Sequence, residues 1–448
     1  MTPLVFEQFM NDPRLQKGKQ LLYDTLLEYQ SKIAQIKPPD PDRKLSYQQL
    51  IARFSEYRGA PLWYPYLGSG MGNGALVELA DGSVKYDFIS GIGTHFGHGQ
   101  VDVVYACLDA ALQDVVMQGN LEQNTSSVEF CKVLIEQSRL DHCFLTSSGA
   151  MACENALKII FQKKEPAQRI LAFERNFMGR TLLLSNITDK PSFREGLPQP
   201  FQVDYLPFNE QAIPKLEALL AEHPDQYAAM CFELIQGEGG YYAGSTELFT
   251  SLMKILKQHS VAVLVDEIQT LGRTPSLFAF QHFELSEYVD VVTFGKLTQV
   301  CGTLFRDSFR PRAGLISQTF TGSTSAIESG LAILHELIHS GYLGPDGKIE
   351  KYARLFQTHL AQLSQKYPQL IKGPFGYGLM VAATVLGGEP EKVKMFLNKL
   401  FDAGVIAFSC GATPMRVRML VPLGSVHSVD IDNVMEIFEK VLVECSAS

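Results

Sequence analysis

The 448-residue sequence lacks the features that place a chain in a membrane, outside the cell or on nucleic acid. No apolar run approaches the roughly 18 residues of a membrane helix, and the N-terminus has neither the basic head nor the apolar stretch of a signal peptide. The 39 basic and 48 acidic side chains give a net charge of −9 without long runs of one sign. This balance argues against nucleic acid and membranes as partners, and we expect a cytoplasmic protein.

Metal-binding and nucleotide-binding motifs are also lacking. The eight cysteines are far apart, with no CxxC pair and no Cys/His cluster at zinc spacing, so no metal site is predicted. The strand "VAVLVDEI" fits the magnesium-binding strand of an ATPase, but such an enzyme needs the phosphate loop GxxxxGK followed by Ser or Thr. Lys296 and Lys348 each follow a glycine but precede Leu297 and Ile349. The nucleotide-binding alternative is therefore disfavoured.

The composition, 46% hydrophobic and 19% charged, is typical of a folded protein, and the length predicts more than one domain. Short apolar runs such as "QRILAFE", "YAAMCFELIQ" and "VDVVTFG" alternate with helical stretches, which predicts an α/β fold with a mostly parallel sheet covered on both faces. We expect four segments: a helical N-terminal extension at 1–60, the first part of a small domain with a β-hairpin at 61–99, a large domain at 100–342, and a C-terminal α+β part at 343–448.

Two strand ends carry the chemistry of this predicted sheet. One strand ends in Asp266 and another in Lys296, and ligands of open α/β sheets bind outside the carboxyl ends of the strands. Lys296 alone fits either a solvated surface lysine or a desolvated nucleophilic amine. A pyridoxal phosphate site needs such a lysine, a carboxylate for the ring nitrogen and an anion site at a helix N-terminus. "FLTSSGAMACENALKII" supplies the last of these around Gly149 and Ala150.

The order of these motifs resembles the class III (ω-amino acid) aminotransferases, which have the aspartate-aminotransferase-like fold of fold type I. The resemblance runs from about residue 65 to the C-terminus. It is carried by "SSGAMACENALK", "NFMGRT", "FELIQGEGG", "LVDEIQTLGRTPSLFAFQHF" with "YVDVVTFGK", "QTFTGSTSAIESGLAIL" and "VRMLVPL". Departures from the family pattern occur at Ser147, Met151, Cys153, Leu234 and Ser323-Thr324.

The resemblance implies pyridoxal 5′-phosphate as the cofactor. Lys296 is expected to hold it covalently and then to shuttle a proton as general acid and base. Asp266 is expected to pair with the ring nitrogen, and Gln269 to reach the ring hydroxyl and the substrate. Phe177 is expected to stack on the ring.

The cofactor phosphate is expected to lie against the backbone of Gly149 and Ala150. Thr319 corresponds to a family residue that reaches the phosphate in the other subunit, so the resemblance implies a homodimer with shared active sites.

The substrates implied are small amino acids and 2-oxo acids. Arg180 and Arg418 match the arginines that bind substrate carboxylates, and Arg418 is preferred over Arg416 because it precedes the "xxxPL" pattern. Glu238 corresponds to the residue that pairs with the second arginine when an ω-amine donor is bound and releases it for 2-oxoglutarate. Glu233 is expected to support the pocket.

The expected reaction moves the terminal amine of an ω-amino acid to 2-oxoglutarate, giving glutamate and a semialdehyde. The run "LTQVCG" after Lys296 is similar to that of lysine 6-aminotransferases and favours lysine as donor. Ile92 stands where ornithine enzymes carry Tyr, which disfavours ornithine. Tyr64 and Tyr66 are expected to line the donor end. The alternatives are 4-aminobutyrate or acetylornithine as donor, an aminomutase or decarboxylase of the same fold, and a non-catalytic binding protein.

Overall fold

The computed structural model describes residues 2–446, and its first part is a helical arm followed by a small sheet. The elements are α1 Val5–Met10, α2 Pro13–Gln30, α3 Lys44–Arg58, β1 Gly68–Asn73, β2 Leu76–Leu79, β3 Val84–Asp87 and the single turn α4 Ser90–Gly93. The predicted hairpin is confirmed, because β2 and β3 pair in antiparallel fashion around Gly82, whose φ of 81° suits glycine. The longest helix of this arm, α2, ends at Gln30.

The middle of the chain forms the main sheet and its covering helices. Its elements are α5 Val101–Ala111, β4 Met117–Gln118, α6 Thr125–Ser138, β5 His142–Thr146, α7 Gly149–Lys163, β6 Arg169–Phe173, α8 Leu182–Ile187, β7 Val203–Leu206, α9 Ala212–Glu222, β8 Tyr227–Phe232, α10 Thr246–Gln258, β9 Ala262–Asp266, α11 Ala279–His282, β10 Val291–Phe294, β11 Cys301–Phe305, β12 Gly322–Ser323 and α12 Thr324–His339. The seven-stranded sheet has the order β5-β11-β10-β9-β8-β6-β7.

This sheet is parallel except at β11, which runs antiparallel to both β5 and β10. Residues along β8, β9 and β10 are all buried, as expected for strands covered on both faces. Neighbouring residues alternate between two apolar cores: Val263 and Val292 belong to one, and Leu264 and Val291 to the other. The predicted α/β class with a mostly parallel sheet is confirmed, while β7 and β11 were not predicted.

The last part of the chain forms a second antiparallel sheet and completes the first one. Its elements are α13 Lys348–Lys366, β13 Ile371–Tyr377, β14 Met380–Val385, α14 Pro390–Asp402, β15 Val405–Ile406, β16 Phe408–Cys410, β17 Arg416–Met419 and α15 Ser428–Ser446. The sheet order is β13-β14-β17-β16. Because β15 pairs in parallel with β3, the segments before and after the main sheet share hydrogen bonds. The domain boundaries given above stay predictions. Within residues 2–446, no helix is both long and apolar enough to cross a membrane.

Candidate active site

A cavity of about 490 Å³ opens at the carboxyl ends of the central strands. It lies where the strand-end rule places ligands of an open α/β sheet. Ten of the residues predicted for the site line it: Gly149, Ala150, Phe177, Arg180, Glu233, Glu238, Asp266, Gln269, Lys296 and Arg418. The structure therefore brings together residues that are spread over most of the chain.

Asp266 and Lys296 face the cavity because their strands are neighbours in register. Asp266, the last residue of β9, lies opposite Thr293 of β10, and Glu267 N donates to Thr293 O at 2.8 Å. Three residues later the chain turns, and Lys296 has a left-handed φ of 52°. A non-glycine residue in that region costs about 1 kcal/mol. Such local strain concentrates at functional sites, where the surrounding structure maintains it.

The charges in the cavity shift one another's pKa values. Burial of the Lys296 amine and, to a lesser extent, the charge of Arg418 lower its pKa from 10.5 to about 8, against the opposing effects of Asp266 and Glu233. Burial raises the pKa of Asp266 to about 6, against the opposing effects of the Ile268 N–H and of Lys296. Burial and the charge of Asp266 raise the pKa of Glu233 to about 8. A lysine with a lowered pKa in a cleft suits nucleophilic or acid–base work.

Asp266 is held in place by its neighbours. Its side chain is 6% exposed, and Oδ1 accepts a hydrogen bond from Ile268 N at 2.8 Å. Cys153 Sγ lies 3.6 Å from Oδ2 and donates to it. A thiol is a weak donor, so Oδ2 keeps most of its capacity to accept from a stronger partner.

The N-terminus of α7 opens onto the same cavity. The Ser148 side chain caps the helix by accepting from Met151 N at 3.3 Å. A Cβ at Gly149 would meet Ile268 Cδ1 at 2.7 Å, so only glycine lets the helix approach the loop after β9 this closely. The backbone N–H groups of a helix start and its dipole favour an anion such as phosphate.

Glu233 ties together two of the loops that border the cavity. Its Oε2 accepts from Phe177 N at 3.0 Å and its Oε1 accepts from Gly237 N at 2.8 Å. Gly237 in turn makes room for Gln269, since a Cβ there would lie 2.7 Å from Gln269 Oε1. Among the described residues, that oxygen is buried without a hydrogen-bond partner, which is costly unless a ligand supplies one.

Arg418 and Glu238 form an ion pair in the outer part of the cavity, with Arg418 Nη2 3.2 Å from Glu238 Oε2. Arg418 is 1% exposed, and its Nε has no hydrogen-bond partner within residues 2–446. Arg180 is exposed, and its guanidinium carbon lies 3.9 Å from the centre of the Phe193 ring. Arg416 does not line the cavity and instead packs on Phe375 and Tyr242. The preference for Arg418 thus agrees with the geometry.

Tyr64 and Thr319 lie outside this cavity. Tyr64 is buried, stacks on Phe401 and donates to Ala407 O at 2.9 Å. It lines an adjacent cavity of about 300 Å³ that shares Gly91 with the main one. Thr319 lies in an exposed loop, and its expected contact with a cofactor in the other subunit stays a prediction.

The arrangement fits pyridoxal phosphate. A carboxylate at the inner wall, an amine of lowered pKa and a helix N-terminus border one cavity, and the unpartnered Gln269 oxygen lies among them. Lys296, Asp266, Gln269, Phe177 and the start of α7 are the residues that can hold the cofactor.

Several lining residues were not predicted as members of this wall, namely Gly91, Met178, Gly179, Ile268 and Cys301, whereas Ile92, which the sequence linked to donor choice, also lines it. Ile268 lies between Asp266 and Gln269, so its position next to the cofactor residues was the available signal. Cys301 lines the cavity because β11 folds back beside Lys296, and no sequence pattern indicated that reversal.

Residues 67–442 match the family model for aminotransferase class-III. Because the match covers most of the chain, the protein belongs to the class III aminotransferases. It is a pyridoxal-phosphate-dependent transaminase of the fold type I architecture.

The chain is also similar to named relatives and to solved structures. An acetylornithine aminotransferase of Methanocaldococcus jannaschii is 29% identical over 392 residues, covering 83% of this chain and 92% of the relative. A lysine aminotransferase from M. tuberculosis superposes with a TM-score of 0.78 at 21% identity, covering 88% of this chain and 99% of that one. The ornithine aminotransferase of Toxoplasma gondii ME49 gives a TM-score of 0.78 at 23% identity, covering 90% and 96%. At these identities the two structures show the shared fold.

Proposed function

We propose that the protein transfers the terminal amine of an ω-amino acid to 2-oxoglutarate, giving glutamate and a semialdehyde, with lysine as the favoured donor. The observation that carries this proposal is the Arg418–Glu238 ion pair in the same cavity as Lys296. A paired arginine suits a donor that presents no carboxylate at that end, whereas an arginine released by its glutamate suits the carboxylate of a 2-oxo acid.

The inner residues supply the acid–base chemistry. Pyridoxal phosphate, when bound, supplies the electron sink that stabilises negative charge on the substrate carbon next to the nitrogen. Lys296 would anchor the cofactor, and its free amine, whose lowered pKa favours proton transfer, would take and return the proton on that carbon. Asp266 would hold a proton on the ring nitrogen, and Phe177 and Gln269 would orient the ring.

The outer charges select the substrates. Arg180, exposed at the cavity mouth, binds the far carboxylate of either substrate, and Arg418 binds the near carboxylate of 2-oxoglutarate. A guanidinium binds a carboxylate in bidentate fashion, which fixes the orientation of the substrate as well as its charge. When the donor is bound, Glu238 forms the ion pair with Arg418.

The donor chain extends toward the adjacent cavity of about 300 Å³, which Trp63, Tyr64, Tyr66 and Phe408 help to line. Its aromatic walls suit methylene groups, and Ile92 borders both cavities. The run "LTQVCG" after Lys296 supports lysine as the donor.

Acetylornithine is the second candidate donor, because the matched relative of Methanocaldococcus jannaschii carries that name. Lysine and acetylornithine both present a terminal amine and a distant carboxylate, and they differ by one methylene and in the group beside that carboxylate. The aromatic lining accommodates an acetamide as well as an amine, so only a direct comparison of donors separates them.

A homodimer in the cytoplasm is part of the proposal. Asn120 N donates to Gln318 O at 3.2 Å, which joins two loops that expose Leu121 and Phe320 beside Thr319. Leu121 is 99% exposed, and an apolar side chain so placed suits a subunit contact. Eight free cysteines suit a reducing compartment.

A donor panel tests the proposal. Holoenzyme is given lysine, acetylornithine, 4-aminobutyrate or ornithine with 2-oxoglutarate, and glutamate is measured. We expect glutamate with lysine at the highest kcat/KM and none from Lys296→Ala. Absence of glutamate with all four donors would contradict the proposal, and a preference for acetylornithine would replace the favoured donor.

A further inference from the structure

Glu238 is shared by two cations that lie on opposite sides of it. Its Oε2 contacts Arg418 Nη2 at 3.2 Å, and its Oε1 contacts Lys190 Nζ at 3.0 Å. The Arg418 side chain is 2% exposed and that of Lys190 is 38% exposed. Glu238 also borders both the main cavity and a second one of about 260 Å³ that Lys190 lines. The carboxylate is therefore the wall between the substrate cavity and the Lys190 side.

Lys190 is positioned by its own surroundings. Its backbone N donates to Thr188 O at 2.8 Å, just before the short turn Pro191–Phe193. Its Nζ lies 4.4 Å from the centre of the Phe193 ring, and the Arg180 guanidinium carbon lies 3.9 Å from the same centre. An aromatic face attracts such cations. The ammonium thus rests between a ring and a carboxylate, close to the arginine proposed to bind the far carboxylate.

The two contacts on Glu238 have different consequences when a 2-oxo acid arrives. The carboxylate of the 2-oxo acid binds Arg418, so Glu238 must release the Arg418 guanidinium. A carboxylate with no other cation would hold Arg418 more strongly and would compete with the incoming anion. Lys190 offers Glu238 a partner that does not face the substrate cavity, which weakens this competition.

We propose that Lys190 is a specificity-determining residue that retains Glu238 while a dicarboxylic 2-oxo acid occupies Arg418, and so favours the acceptor half of the reaction. This inference rests on the proposed function. It assigns Lys190 no contact with the substrate, because its effect passes through Glu238.

Removal of the ammonium tests this role. In Lys190→Met, Glu238 keeps only Arg418, so we expect the KM for 2-oxoglutarate to rise about three- to fivefold, the range of a partly exposed ion pair. The KM for the amine donor should change less than twofold. Lys190→Arg, which keeps a cation, should behave like the unchanged protein, and Lys215→Met, an exposed lysine on α9, is the matched control.

A binding measurement and a second background separate the alternatives. Glutarate, an unreactive dicarboxylate, is titrated calorimetrically into holoenzyme, and its Kd should rise with the KM in Lys190→Met. In the Glu238→Gln background the further change Lys190→Met should have no effect. An equal loss in both backgrounds would mean that Lys190 acts on the substrate directly, and no loss in either would leave it without a role; both overturn the inference. If the unchanged protein neither binds glutarate nor makes glutamate, the proposed function fails and takes the inference with it.

Discussion

The inner and outer halves of the active site are built differently. Asp266 and Glu233, at the ends of buried strands, are each 6% exposed, and backbone hydrogen bonds fix their carboxylates. Arg180 and Glu238 lie on loops, and the Glu238 side chain is 28% exposed. The proposed proton chemistry thus rests on the sheet, while the proposed substrate choice rests on the loop residues Arg180 and Glu238 and on the buried strand residue Arg418, which pairs with Glu238. Rigid elements hold catalytic groups more reproducibly than loops do.

Among the changes to the inner half of the active site, we expect Lys296→Ala to have the largest effect on activity. Loss of the amine removes both the covalent anchor and the proton carrier, so kcat should fall more than about 1,000-fold. Cofactor can still bind loosely, which dialysis followed by absorbance will show. Lys215→Ala on α9 is the matched control. Normal turnover by Lys296→Ala would refute the assigned role.

Asp266→Asn, compared with Glu267→Gln, distinguishes the roles of two adjacent carboxylates. Asn cannot hold a proton on the ring nitrogen by charge, so kcat should fall about 100- to 1,000-fold. Glu267→Gln is the comparison, because Glu267 Oε1 accepts from Phe280 N at 2.7 Å and faces the core. That variant should lower the melting temperature and leave the spectrum of bound cofactor unchanged. Equal spectral changes in both would contradict the assignment of Asp266.

Arg418→Lys tests the outer half on the acceptor side. A lysine cannot reproduce the bidentate contact, so the KM for 2-oxoglutarate should rise about 10- to 100-fold, with a smaller change for the donor. Arg416→Lys, two residues away on β17, should lower stability without this split, since Arg416 packs on Phe375 and Tyr242. Steady-state kinetics with each substrate varied will show whether the two arginines differ.

The pH dependence of cofactor attachment tests whether the pKa of Lys296 is lowered. Only the neutral amine attacks the aldehyde, and the pKa of Lys296 is lowered to about 8. The rate of pyridoxal phosphate attachment to apoprotein should therefore rise about tenfold from pH 7 to pH 9 and then level off. Attachment is followed by mass after borohydride reduction. A rise that continues past pH 10 would mean that the amine is not desolvated.

Tyr64→Phe should have the smallest effect. It removes one hydrogen bond to Ala407 O, worth about 1 kcal/mol of unfolding free energy. The KM for 2-oxoglutarate should stay the same, and the donor KM should change slightly if the adjacent cavity holds the donor chain. Denaturant unfolding and donor kinetics give the two values.

The sequence predicted the inner half better than the outer half, for physical reasons. Lys296 and Asp266 end apolar strands, and strand ends converge in any parallel sheet, so local pattern was enough to bring them together. The Lys190–Glu238 contact joins two loops 48 residues apart, and no periodicity encodes such a meeting. The position of Tyr64 was equally hard to predict, because a proline-flanked segment gives no indication of which cavity its side chains face. After the turn at Lys296, whose backbone conformation is unusual, strand β11 runs antiparallel to β10. No turn motif in the sequence predicted this change of direction.

The positions of the inner residues along the chain have a consequence for biosynthesis. Gly149, Phe177, Glu233, Asp266 and Lys296 all precede the end of β11, whereas Arg418 follows Lys296 by about 120 residues, on the last strand. Chains emerge from the ribosome N-terminal end first. A product cut short after β11 by a frameshift would carry Lys296 and Asp266, the residues proposed to hold the cofactor, but would lack Thr319 and Arg418. Such a product would keep the lysine proposed to anchor the cofactor and lose the arginine proposed to bind the near carboxylate of the acceptor.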